Sequence, residues 1–171
     1  MHPRLRRIFL ISTVVVPFLA YSVYYYSMVI KNAPYRFVDF DSIVFQYGPG
    51  DSLVNKYNSK TGDYQYVDSR DSLVKMKLRL SKDELLYLHH KAAELGLWDF
   101  PEKELGDTAK NREGRKPLRY LIEFNYRKKS KKVIFDSSFE GPEKLVDANK
   151  QVILEIKKVL DAAEAKQRNN K

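Results

Sequence analysis

The 171-residue chain carries 31 Lys and Arg against 22 Asp and Glu, with three His and no Cys. That length allows one ordinary domain, and the missing thiols exclude a cysteine nucleophile, a disulfide, a Cys-ligated metal and lipid attachment of the bacterial lipoprotein kind. The surplus of nine positive charges is uneven: Arg4, Arg6, Arg7 and Lys31 precede residue 34 with no acid, leaving residues 34–171 with 27 basic and 22 acidic side chains. Much of the basicity therefore flanks one apolar segment, and the remaining surplus of five does not call for nucleic acid.

From Ile8 to Ile30 the chain runs for 23 residues without a charged side chain. A helix of that length reaches roughly 34 Å, enough to cross a hydrocarbon core. Pro17 is a candidate kink, and Tyr21, Tyr24, Tyr25 and Tyr26 gather at the C-terminal end, where amphipathic rings favour the membrane–water interface. The basic residues before the segment place residues 1–7 in the cytoplasm by the positive-inside rule and the rest of the chain outside it. A single-pass anchor over 8–30 in the cytoplasmic membrane is the reading. The alternatives are a cleaved signal peptide, with secretion, because Ala20-Tyr21-Ser22 offers small residues at the two positions a peptidase reads, although the apolar run continues well past that site, and a helix buried in the soluble domain.

Residues 31–39 read as a linker, 40–165 as an extracytoplasmic domain and 166–171 as a polar, frayed tail. Phe40 to Tyr47, Leu53 to Tyr57 and Tyr64 to Val67 are β-prone runs separated by Gly48-Pro49-Gly50 and by a turn over 58–63. Val74, Met76, Leu78 and Leu80 alternate with Lys75, Lys77 and Arg79, the period of a half-buried strand. Ser81 and Glu84 then form a capping box. Leu85, Leu88, Ala92 and Leu95 make the apolar stripe of the helix that follows, and Gly96 supplies its left-handed end.

Residues 102–116 hold five basic and four acidic side chains with Gly106 and Gly114, and read as a mobile loop with almost nothing to bury, either simply disordered or functional as part of a protein-binding surface with Trp98 and Phe100. Leu118 to Tyr126 and Val133 to Phe135 form a second hairpin around a tip at 127–132. A long helix begins near Gly141-Pro142-Glu143, with Leu145, Ala148, Val152, Ile156, Val159 and Ala163 as its stripe, widened by Ile153 and Leu160. The class is α+β: a mainly antiparallel sheet with two helices on one face, in the order β-β-(β)-α-β-β-α, preceded by the transmembrane helix.

His89 and His90 are adjacent on a helix, so their side chains diverge by about 100° and cannot jointly face one metal. No G-x-S-x-G, S-x-x-K or phosphate-loop pattern occurs. No catalytic, cofactor or metal residue is therefore assigned. Two clusters remain as candidates. Trp98 and Phe100 are candidate anchors for a protein partner, or else fold back to seal the core edge. Arg127, Lys128, Lys129, Lys131 and Lys132 place five cations in six residues, suited to anionic lipid headgroups or acidic envelope polymers.

Leu80-Ser81-Lys82-Asp83-Glu84-Leu85, Ala93 through Pro101, Tyr120 through Phe124 and Val133 through Asp136 together resemble a class of small uncharacterised bacterial envelope domains, over roughly residues 40–160. The resemblance implies the α+β fold and an envelope location, and carries no activity. The leading functional expectation is a membrane-anchored, non-enzymatic binding or envelope-associated module. Its rivals are an envelope hydrolase with a site assembled from scattered polar residues, and an accessory subunit of a larger membrane protein.

Overall fold

A computed structural model describes residues 3–31, 35–106 and 116–169, with side chains from 12 to 26 in the first stretch. The chain divides into two compact units, residues 1–34 and 35–171. The first is one helix, α1 (Pro3–Lys31), which runs through Pro17 without interruption. Its described side chains are all exposed except Ser22, which is half-buried. Among the described residues, no helix is both long and apolar enough to cross a membrane. The expected span of 8–30 extends beyond residues 12–26 at both ends, so an anchor there rests on the sequence.

The second unit is an α+β domain. Its strands are β1 (Phe40–Pro49), β2 (Asn55–Asn58), β3 (Asp63–Val67), β4 (Leu73–Lys77), β5 (Lys103–Glu104), β6 (Leu118–Tyr126) and β7 (Ser130–Asp136). They form one sheet in the order β4-β3-β2-β1-β6-β7-β5. Every pairing is antiparallel except that of β5 with β7. The register sets the two faces. Phe45 lies opposite Tyr57 and Ile122, Ile122 opposite Val133, and Tyr57 opposite Tyr64, so one face is a continuous apolar and aromatic layer. The other face carries Gln46, Leu121 and Ile134 in one row and Val44, Glu123 and Lys132 in the next, all only partly buried.

Helices α2 (Lys82–Glu94) and α3 (Glu143–Asn169) contribute Leu88, Ala92, Val152, Ile153, Ile156, Leu160 and Ala163 to the core formed by the apolar face. They meet each other where the Tyr87 hydroxyl donates to Glu155, 2.8 Å away. The capping box forms as expected: the Ser81 hydroxyl accepts from the Glu84 amide at 3.2 Å, and the Glu84 carboxylate accepts from the Ser81 amide at 2.6 Å. Ser81→Ala is expected to lower stability by about 1 kcal/mol in a denaturant titration, the usual worth of a cap. Gly96, at φ +78°, ends the helix as expected.

Several boundaries differ from the expectation, each for a local reason. The alternating pattern of β4 continues to Leu80, but ladder pairing stops at Lys77, and the Leu78 amide turns to the Gly62 carbonyl at 2.7 Å. Tyr35 to Asp39, expected as linker, packs onto the domain: Tyr35 lies against the core and Phe37–Asp39 makes a turn of 3-10 helix. At the other end α3 continues to Asn169, so most of the expected tail is helical. Residues 102–106 are not a loop with nothing to bury, since β5 adds an edge strand there and Glu104 is fully buried. Residues 107–115, the centre of that expected loop, lie outside the described residues.

Candidate functional site

The second hairpin is tighter than its sequence suggested. Only Arg127, Lys128 and Lys129 lie between β6 and β7, because β7 starts at Ser130. Lys131 stands opposite Phe124 and so points to the core side of the sheet, where its ammonium donates to the Phe100 carbonyl. Burial pushes its pKa down, opposed by Asp99, Glu104 and Glu102. Lys132 stands opposite Glu123 on the other face. The five cations expected as one exposed tip are therefore split among the tip and both faces of β7, for the two-residue period of the strand sends neighbours to opposite sides.

The tip lies beside the start of the domain. The Arg127 amide donates to the Asp39 carbonyl at 2.9 Å, and the Lys129 ammonium sits 3.8 Å from the centroid of the Tyr35 ring. The same ring stacks on Trp98 at 4.6 Å and 22° and touches Tyr126 at 5.0 Å. Tyr35 thus joins the two groups of candidate residues, Trp98 and the basic tip, into one cluster. Phe100 takes no part in it: 7% exposed, it belongs to the core. Trp98 is half-buried and packs edge-on against Phe124 at 5.3 Å, which closes the core edge.

Beside this cluster an open groove of about 640 Å³ is lined by Phe37, Val38, Phe40, Asp41, Lys82 and Leu85. Val38 is 68% exposed. Arg36 is exposed as well, and pairs with Asp39 at 3.0 Å. The edge of the domain where the chain enters therefore combines aromatic rings, an exposed aliphatic side chain and cations on long stems.

His89 is buried among Phe37, Phe40, Trp98 and Tyr126. Neither ring nitrogen has a hydrogen-bond partner. Burial pushes its pKa down, and the nearby Tyr35 main chain only partly offsets this, so the ring packs as a neutral imidazole. His90 is exposed. Among the described residues no group of three or more His, Asp or Glu is placed to hold a metal ion.

Two polar clusters join residues far apart in the sequence. Glu104 and Asn149 are both fully buried, and the Asn149 amide donates to one Glu104 oxygen and to the Leu145 carbonyl. The other Glu104 oxygen and Asn149 Oδ1 have no partner. Burial pushes the Glu104 carboxyl up to about 7, partly offset by Asn149 and Lys131. On the opposite face of the sheet, Arg119 clasps Asp136, with Nε–Oδ1 at 2.6 Å and Nη2–Oδ2 at 3.0 Å, and also pairs with Asp51. Asp136 is fully buried.

A cleft of about 280 Å³ between α3 and the sheet is lined by Tyr120, Phe135, Ser137, Lys150, Ile153, Leu154 and Lys157. The Lys157 ammonium lies over the Tyr47 and Tyr120 rings, 4.4 and 5.2 Å from their centroids. A wider groove of about 600 Å³ runs between the end of α3 and the start of α2, with Lys77, Arg79, Glu84 and Lys166 at its rim.

Tyr35, Glu104, Asn149, Arg119 and Asp136 were not singled out by the sequence. For Asn149 a signal existed, since it keeps the helical phase of Leu145, Val152 and Ile156. For Glu104 none did, because a two-residue parallel strand is defined only by its distant partner.

No protein-family model, curated protein or solved structure matches the chain. The fold and the site together define an α+β domain with one covered sheet face, one open face and an aromatic, basic edge where the chain enters.

Proposed function

We propose that the chain is a single-pass protein of a bacterial cytoplasmic membrane, anchored by residues 8–30, with residues 1–7 in the cytoplasm. The α+β domain is extracytoplasmic and acts as a non-enzymatic binding or envelope-associated module, in keeping with the likeness of residues 40–160 to small envelope domains.

The observation that carries this reading is the surface of α1. Its exposed side chains include Val14, Val16, Phe18, Leu19, Val23 and the four Tyr residues 21 and 24–26, each more than half exposed. They lie around the whole circumference rather than on one stripe, and a helix apolar on all sides needs lipid or a large buried environment to be stable. The uncharged run of 23 residues and the tyrosines at its C-terminal end support lipid. The domain itself supports the binding role through what it presents, an edge of Arg, Lys, Tyr and Trp side chains.

Fractionation tests the anchor. The full chain is expected to stay with membranes through alkaline carbonate extraction, and the chain lacking residues 1–34 is expected to be released. Release of the full chain, or its recovery shortened by a signal peptidase, contradicts the anchor.

A further inference from the structure

We infer that the entry edge of the domain, built from the 127–129 tip together with Arg36, Val38 and Lys82, docks on anionic phospholipid headgroups. The inference rests on the anchor proposed above. Three residues, 32–34, join α1 to Tyr35, and the four Cα steps from Lys31 to Tyr35 reach at most about 15 Å. Tyr35, the first residue of the domain, lies beside the tip through Lys129 and against Trp98, so this edge is the part of the domain that follows the proposed anchor in the chain.

The chemistry of that edge suits the headgroup layer. Arg127 and Lys128 are exposed, and Lys129 is held over Tyr35. Long basic side chains keep their stems against apolar neighbours while the charge reaches phosphate. Tyr35 and Trp98 are ring types favoured at the membrane–water boundary. Val38 and the Phe37–Phe40–Leu85 groove beside it offer apolar surface at the same edge. The tip carries the exposed Arg127 and Lys128, whereas Arg36 pairs with Asp39. The attraction is therefore centred on the tip, and it is screened over about 10 Å at moderate salt.

The chain has one tryptophan, Trp98, and it lies in this cluster, so its fluorescence reports the distance between the edge and the lipid. The full chain is reconstituted in nanodiscs of phosphatidylcholine alone and in nanodiscs containing phosphatidylglycerol, both with a dansyl-labelled headgroup. Energy transfer from Trp98 is expected to be greater in the anionic discs at low salt. The excess is expected to vanish on adding salt and in the double variant Arg127→Glu, Lys128→Glu, whose unchanged circular dichroism shows that it folds.

Co-elution with both kinds of disc and equal transfer at low salt overturns the docking alone. A chain that elutes apart from both discs overturns the anchor and the docking together. Equal transfer in both discs combined with salt-sensitive binding of polyglutamate to the wild type, lost in the double variant, assigns the tip to an acidic polymer and also overturns the docking.

Discussion

Replacing Glu104 with glutamine is expected to raise the stability of the domain at about pH 8 by on the order of 3 kcal/mol, and to change it little at about pH 4. The carboxyl is fully buried, and its pKa of about 7 in the folded chain stands above the ordinary value of 4.5. The folded state therefore holds a proton that the unfolded state releases. Stability from this group is fully present below the unfolded pKa, is lost as pH rises toward about 7, and is flat above.

The geometry explains the cost. Glu104 and Asn149 leave two buried acceptors without a donor, and the acid proton supplies one. A glutamine amide supplies one at every pH and can still accept from Asn149. His89 works in the opposite sense: its lowered pKa means that the unfolded chain takes up a proton first, so its contribution is lost as pH falls through the unfolded histidine range. Paired exposed carboxylates such as Asp41 and Asp63, held below their usual range by Lys60 and Lys77, are likewise lost in acid. Denaturant titrations of wild type and Glu104→Gln at several pH values isolate the Glu104 contribution as the difference between the curves. Parallel curves contradict the buried protonated acid.

Arg119→Leu is expected to destabilise the domain by about 3–5 kcal/mol, because it leaves the buried Asp136 carboxylate without its cation. The pair is bidentate and its acidic member is fully enclosed, so water cannot replace the guanidinium. Asp51 adds little, since its side chain is 94% exposed. The double variant Arg119→Leu, Asp136→Leu is expected to recover most of the loss, as the buried charge goes with its partner. Equilibrium unfolding in urea measures both, and a single variant that loses less than about 1 kcal/mol, the worth of a surface pair, contradicts the account.

The elements with strong local signals were legible in the sequence. The Ser81–Glu84 box, the stripe of α3 and the alternation of β6 each follow from a fixed period or a fixed cap spacing. Hydrogen bonds across the chain decided the rest. The 127–132 run looks like one patch because sequence proximity hides the strand period that turns Lys131 inward and Lys132 outward. Tyr35 looks like linker because its partners, Trp98 and Lys129, are more than 60 residues away. The edge cluster could not be read as a site until the sheet had brought these segments together.

The absence of cysteine makes the topology directly measurable. A single cysteine is placed at His2, before α1, or at Ser69, exposed in the β3–β4 turn, and intact cells are treated with a membrane-impermeant maleimide. Labelling of Ser69→Cys in intact cells, and of His2→Cys only after the membrane is opened, is the result predicted for an anchored extracytoplasmic domain. Protection of Ser69→Cys until lysis contradicts it.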